Sequence, residues 1–267
     1  MRFYLTLQAT DSNSTITLNY QYPLSAAIYK IIQRADTAFS AFLHNTGYGL
    51  GHKNFKLFTF SDIDTPFKVI GDRMHMLSNT ARVTICFYMP QAAEHFIRGL
   101  FMQQQLEIAD KKSKATFVVQ QIESLPHYVV SDIETTAIKN VLIQPLSPLV
   151  AGRKNEKGYY DYRSPLDADF TDCLLYNWLE KYKTVNDTYE NTIQQIKEQT
   201  EIKVLLFSQP PKQRLITIKQ GTSDETRVRG YTKFRLQLTA PEDMLQLAMD
   251  AGLGLYNSQG MGCVGVI

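Results

Sequence analysis

A mixed α+β chain built from two tandem ferredoxin-like domains is the fold class predicted by the sequence, and three observations carry that prediction. Apolar residues alternate with period two in short runs and recur at helical spacing in longer ones. The runs follow one another as strand, helix, strands, helix, strand, which is the split βαβ order. The same order returns, more loosely, after a junction near Glu123–Tyr128. The expected domains are therefore residues 1–125 and 126–267.

The elements of the first half can be justified in turn. Residues 2–9 place Phe3, Leu5 and Leu7 on one side and Tyr4, Thr6 and Gln8 on the other, a half-buried strand. Pro23 stands where a helix can begin, followed by Leu24, Ile28, Ile31 and Ala35 at helical spacing. Asp36 is placed to cap a second short helix, Thr37–His44, which Gly47 would end. Residues 56–61, 67–70 and 82–88 are strand-like. Pro90 opens a helix with Ala93, Phe96, Ile97 and Leu100 as its apolar stripe, and strands near 106–108 and 116–122 complete the half.

In the second half, residues 140–150 are extended but interrupted by Pro145 and Pro148. Residues 167–200 are mainly helical, with a break around 185–187. Residues 203–207, 214–218 and 232–238 are strand-like. Pro241 starts a helix through Ala251, after which come a glycine-rich segment and a short apolar strand.

Composition narrows the class of protein. Of the 267 residues, 44% are hydrophobic and 20% charged, the balance of an ordinary globular chain. No apolar run is long enough to span a bilayer, and the opening residues read as a strand, not a signal peptide. A cytoplasmic protein without a membrane partner is expected. Cys86, Cys173 and Cys263 lie apart in apolar contexts with no CxxC pair, so they read as buried hydrophobes. The acids and histidines lack ligand spacing, and neither a metal nor a cofactor is expected.

Net charge is +2, but it is unevenly spread. Residues 202–240 carry Lys203, Lys212, Arg214, Lys219, Arg227, Arg229, Lys233 and Arg235 against only Asp224 and Glu225, while the preceding span is acidic. A polyanion partner would explain that excess; a strand pair with one solvated basic face would too.

The segment Gly252–Ile267, GLGLYNSQGMGCVGVI, holds two Gly-x-Gly steps, Gly252/Gly254 and Gly260/Gly262. Successive backbone N–H groups in such a run suit an anion. Neither nucleotide-binding fingerprint fits, because no Lys-Ser or Lys-Thr follows the last glycine and no helix comes after it. A bulged loop feeding an edge strand is the plainer alternative.

Taken with the two ferredoxin-like halves, this glycine motif resembles the RAMP superfamily of CRISPR systems. The first half is similar to the repeat-processing endoribonucleases within it, through Ala27-Ile-Tyr-Lys30, Phe42-Leu-His-Asn45 and Lys56-Leu-Phe-Thr-Phe-Ser61. The resemblance implies a metal-independent ribonuclease that cuts precursor CRISPR RNA once per repeat. In it the substrate's 2′-hydroxyl attacks the adjacent phosphate and leaves a 2′,3′-cyclic phosphate. Tyr29, His44 and Lys56 would form the catalytic set. The glycine loop, with Tyr256, Asn257 and Ser258 (and Gln259 beside them), would hold the RNA together with Arg227, Arg229, Lys233 and Arg235.

The side chains suit that chemistry. Histidine titrates near neutrality and can serve as acid or base. A lysine ammonium and a tyrosine hydroxyl can stabilise a phosphorane. On a helical wheel His44 falls about 140° from Phe39, off the buried face. Without the resemblance, His44 reads as a surface histidine at a helix end, Tyr29 as a core-edge aromatic and Lys56 as a solvated strand residue. His52 is a nearby competitor, while His75, His95 and His127 have weaker claims. A noncatalytic RAMP subunit binding guide RNA shares the glycine loop and the fold but has no need of Tyr29, His44 and Lys56. Partner subunits of a CRISPR effector complex and a homodimer are both compatible with the sequence. An RRM-like binding protein is disfavoured, because no strand carries that module's aromatic-rich motif.

Overall fold

The computed structural model describes residues 1–49, 53–127, 138–186, 190–205 and 209–267. In the first half, β1 (Arg2–Ala9) is the centre of a five-stranded sheet. It pairs antiparallel with β6 (Thr80–Phe87) and β8 (Lys114–Leu125), while β3 (Phe58–Phe60) and β7 (Gln105–Ala109) form the edges. The alternation of β1 puts Phe3, Leu5 and Leu7 in the core. Two helices pack with them, α1 (Gln21–Ala35) and α3 (Pro90–Met102), which bury Leu24, Ile28 and Ile31 and Ala93, Phe96 and Leu100 respectively. Between them runs α2 (Thr37–Asn45), capped by the Asp36 carboxylate accepting from the Phe39 N–H at 2.8 Å.

The second half repeats the unit. A four-stranded sheet has the order β12 (Glu201–Leu205), β15 (Arg235–Pro241), β9 (Ile138–Pro145), β16 (Val264–Val266). Its helices are α4 (Phe170–Asn186), α5 (Glu190–Glu198) and α6 (Glu242–Ala251). Leaving out β7, both sheets place the first strand of a βαββαβ unit between the third and the fourth, so the ferredoxin-like topology occurs twice. Their ladders are antiparallel throughout.

Three features depart from the sequence reading. A small sheet of β2 (Thr15–Thr17), β4 (Phe67–Ile70) and β5 (Arg73–Met76) adds to the first half, and only β4 was expected. A hairpin of β10 (Ala151–Lys154) and β11 (Tyr160–Arg163) precedes α4. The expected single strand over 232–238 is broken at Lys233, which has φ +62°. Residues before it belong to β14 (Thr226–Thr232), which pairs with β13 (Lys212–Ile218) as a separate hairpin; those after it belong to β15. Strand-forming side chains flank the break on both sides, so periodicity alone could not locate it.

The halves are joined through buried polar contacts. Arg2 Nη2 donates to the Val264 carbonyl at 2.9 Å, Thr59 Oγ1 to the Met261 carbonyl at 3.0 Å, and the Asp62 N–H to the Leu146 carbonyl at 2.8 Å. The N-terminal amine meets Asp250 at 2.8 Å, and Leu57 packs into the core of the second half. The three cysteines are buried free thiols. Among the described residues no helix is long and apolar enough to cross a membrane.

Candidate active site

The end of α2 and the flank of α1 meet at Tyr29 and His44. Ser40 of α2 donates to the Tyr29 carbonyl at 3.2 Å, which fixes the two helices side by side. The Tyr29 and His44 rings are then 5.0 Å apart between centroids and 79° from parallel, an edge-to-face pair. Phe58 supports Tyr29 from beneath at 5.4 Å. His44 is exposed, as the helical wheel requires, and its Nδ1 lies 2.9 Å from Asn45 Oδ1. The amide oxygen accepts there, so Nδ1 is the donor of that bond and Nε2 is left facing outward.

Lys56 is brought back to the end of α2, at Gly47, three residues past His44. Tyr48 and Phe55 exchange both backbone hydrogen bonds, at 2.8 and 2.6 Å, so the chain leaving α2 returns to it at once. Gly47 makes the fit possible: it takes φ +69° and its N–H bonds back to Phe42 at 2.8 Å. The Lys56 side chain lies across it, so close that a β-carbon on Gly47 would be 2.8 Å from Lys56 Cδ and 3.1 Å from Nζ. Lys56 itself precedes β3 and is not part of a strand. Partial burial pulls its ammonium below the usual lysine range. His52 lies outside the described residues.

The fourth group comes from the other half. The Tyr29 hydroxyl lies close enough to the Ser258 side chain for that group to act on its titration. One turn earlier on α1, Ser25 Oγ donates to the Ser258 carbonyl at 2.6 Å. Burial pushes the Tyr29 hydroxyl up to about 12, against the pull of Ser258, so it stays a neutral donor at physiological pH. The sequence reading placed Ser258 among the RNA contacts; it had no means of joining it to Tyr29.

The glycine-rich segment is largely internal. Gly252, Gly254, Gly260 and Gly262 are all buried, and Gly260 lies against the Phe60 ring. A β-carbon on Gly262, which has φ +68°, would sit 1.9 Å from the Leu253 carbonyl oxygen. These glycines therefore let two backbone strands touch. Asn257, expected to contact RNA, has its amide occupied within the loop. Its Nδ2 donates to the carbonyls of Leu253 and Met261, both at 3.0 Å, and its Oδ1 accepts from Lys181 at 2.6 Å. Gln259 keeps Oε1 buried without a partner among the described residues.

Lys181 was not singled out from the sequence. It is fully buried on α4, and its Nζ also donates to the carbonyls of Gly252 and Gly254 at 2.7 and 3.1 Å. A lysine continuing the apolar Leu174–Trp178 face was the available signal. The same helix reads as part of an acidic span, which hid it.

The basic residues divide between two elements. Arg227 and Arg229 are exposed on β14 and point away from Val228, which packs with Ile216, Ile218 and Met261. That contact sets the hairpin beside the glycine segment. Lys233 is exposed at the turn, and Arg235 is half-buried at the start of β15 in the other sheet. Arg214 is used internally, meeting Asp62 at 2.5 Å. His75 bonds Thr15, His95 is buried against Phe39, and His127 is exposed in the segment after β8; none joins Tyr29. Among the described residues no group of three His, Cys, Asp or Glu side chains converges as metal ligands.

Comparison with known proteins gives consistent results. Residues 132–266 match the family model "CRISPR associated protein Cas6, C-terminal", and residues 15–123 match "CRISPR-associated protein Cas6, N-terminal". A relative from Methanocaldococcus jannaschii, CRISPR-associated endoribonuclease Cas6 1, is 26% identical over 266 residues, covering 99% of this chain and 92% of its own. Among solved structures, a Cas6-related protein of Pyrococcus furiosus superposes with a TM-score of 0.78 at 20% identity, covering 100% of this chain and 98% of its own. A RAMP protein described as binding different RNA substrates also reaches 0.78, at 18% identity and with 100% and 99% coverage.

Proposed function

Because this chain belongs to the Cas6 family, we propose that it is an endoribonuclease that binds CRISPR precursor RNA and cleaves it within the repeats to release crRNA. The observation that carries this reading is the edge-to-face pair of Tyr29 with the exposed His44, 5.0 Å apart, with Lys56 folded back over Gly47. A subunit that merely bound guide RNA would not need an exposed histidine paired with this tyrosine or a lysine folded back to the same helix end. The endoribonuclease name of the Methanocaldococcus relative supports the same activity. A Cas6 structure described as a product complex, with a TM-score of 0.67, shares the fold.

The cleavage is an in-line transesterification. His44 Nε2 takes the proton of the 2′-hydroxyl, and the 2′-oxygen attacks the neighbouring phosphorus. The bond to the 5′-oxygen breaks, leaving a 2′,3′-cyclic phosphate and a 5′-hydroxyl. Lys56, its ammonium acidified by burial, stabilises the phosphorane and can protonate the departing oxygen. Tyr29, beside Ser258, donates a hydrogen bond from its neutral hydroxyl. These side chains supply both proton transfers and the cation, so the scheme is metal-independent. The glycine segment contributes by holding Tyr256 and Ser258 beside α1, and Arg227, Arg229, Lys233 and Arg235 give phosphate contacts. Residues 1–125 and 126–267 act as the catalytic and RNA-holding domains.

The test uses purified protein with excess EDTA. It is expected to cut its repeat RNA and to leave intact the same RNA carrying a 2′-deoxy sugar at the cleaved position. Cutting of the deoxy RNA, or strict dependence on a divalent ion, would overturn the mechanism. Tight binding without cutting would favour the noncatalytic subunit.

A further inference from the structure

The tyrosines near the glycine segment form a surface of their own. Along β11 the side chains alternate, so Tyr160 and Tyr162 share a face, their rings 6.1 Å apart and 16° from parallel. Gly152 stands opposite Tyr162 and Lys154 opposite Tyr160 on β10. The Lys154 ammonium lies 5.7 Å over the Tyr160 ring. Tyr256 closes the group from the glycine segment. Held at φ +59°, it sets its ring 6.0 Å from Tyr160 and its hydroxyl 3.2 Å from that of Tyr162.

A second aromatic, on α4, lies with Lys53 near enough to Tyr160 to act on its hydroxyl electrostatically. Tyr176 is 54% exposed, with Lys53 4.1 Å over its ring. Lys53 also touches the Tyr176 hydroxyl and pairs with Glu180 at 2.8 Å. It belongs to the loop that joins His44 to Lys56. At the other end, Tyr256 is two residues from Ser258, which lies beside Tyr29. The aromatic surface thus adjoins the candidate catalytic groups on both sides.

A core would bury these rings. Here Tyr162 and Tyr256 rest one side on the buried cluster of Val228 and Met261, yet with Tyr160, under Lys154, they stay only half-buried. Flat rings with adjacent ammonium groups suit nucleobases and phosphates, which stack and pair with them in any sequence. We propose that Tyr160, Tyr162 and Tyr256, with Lys53 and Lys154, are a stacking platform for unpaired nucleotides of the bound RNA. This rests on the reading of the chain as an RNA-cleaving enzyme and adds a binding site beside its catalytic groups.

A short oligouridylate with 2′-fluoro sugars and a central 2-aminopurine is the probe. It has no 2′-hydroxyl and no base-paired stem, so it reports stacking apart from cleavage. The wild-type protein is expected to bind it and quench its fluorescence. Tyr160→Leu/Tyr162→Leu should weaken binding about 10- to 100-fold and relieve the quenching. Tyr160→Phe/Tyr162→Phe should keep both, since it retains the rings and loses only hydroxyls. Equal binding by the Leu variant, or no binding by the wild type, overturns the platform; the EDTA cleavage test stands or falls separately. Photocrosslinking of the wild type with 5-iodouridine RNA needs no variant to fold. Crosslinks should map to Tyr160, Tyr162 or Tyr256, and crosslinks confined elsewhere overturn the proposal.

Discussion

Lys181 Nζ donates to Asn257 Oδ1 at 2.6 Å, joining the middle of α4 to the turn that carries Ser258. With the bonds to Gly252 and Gly254, three oxygens match the three N–H groups of an ammonium. Ser258 in turn meets Tyr29 across the two halves. One buried side chain of the second half therefore sets the position of a group beside the candidate catalytic tyrosine of the first.

Burial pulls the Lys181 ammonium down to about 7 from an unfolded value of 10.5. The sign follows from proton counting. Below about 7 both states hold the proton and the burial penalty is complete; between there and 10.5 the unfolded chain binds more protons, so stability rises with pH. Urea unfolding is expected to show wild type gaining on Lys181→Met across that interval, by up to about 1.4 kcal/mol per pH unit. A constant difference between the two proteins would show that this amine does not titrate there.

Replacing His44 by Ala removes the exposed imidazole and no core contact. Single-turnover cleavage of the repeat RNA should slow by about 10²–10⁴-fold, the usual worth of a general acid or base. RNA affinity measured on uncleavable substrate should change little. An unimpaired His44→Ala enzyme would shift the proton transfer to another group.

Arg227 and Arg229 project from one face of β14, and among the described residues only Arg227 has a salt bridge there, a 3.5 Å surface pair with Glu225. Such pairs contribute little. If both contact phosphates, Arg227→Gln/Arg229→Gln should flatten the log–log salt dependence of binding by about 1.4, at about 0.7 per phosphate of a single strand. An unchanged slope would take the RNA path away from this hairpin.

Much of the fold was legible because it depends on local chemistry. Period two marked β1, an Asp cap and a glycine stop bounded α2, and Pro90 opened α3. The glycine segment was equally visible, but its use was not. Its spacing suggested a surface that takes an anion, whereas four of its glycines are buried and let backbones touch. The difference lies in what surrounds them, Phe60 and Thr59 of the first half and Lys181 of α4, none of them near in sequence.

The sequence by itself determined the two βαββαβ units, the helix end that exposes His44 and the supply of basic and aromatic side chains. Those follow from periodicity, capping and composition, which act over a few residues. Only the tertiary structure decided that Tyr29 faces His44, that Lys56 folds back over Gly47, and that Ser258 crosses from the other half to Tyr29. It also decided which polar groups remain outside: bonds to distant oxygens drew Lys181 inward and bonds within the glycine segment occupied Asn257, while Tyr160 and Tyr162 stayed half-exposed. Contacts between residues hundreds of positions apart depend on packing and closure, which no local pattern encodes.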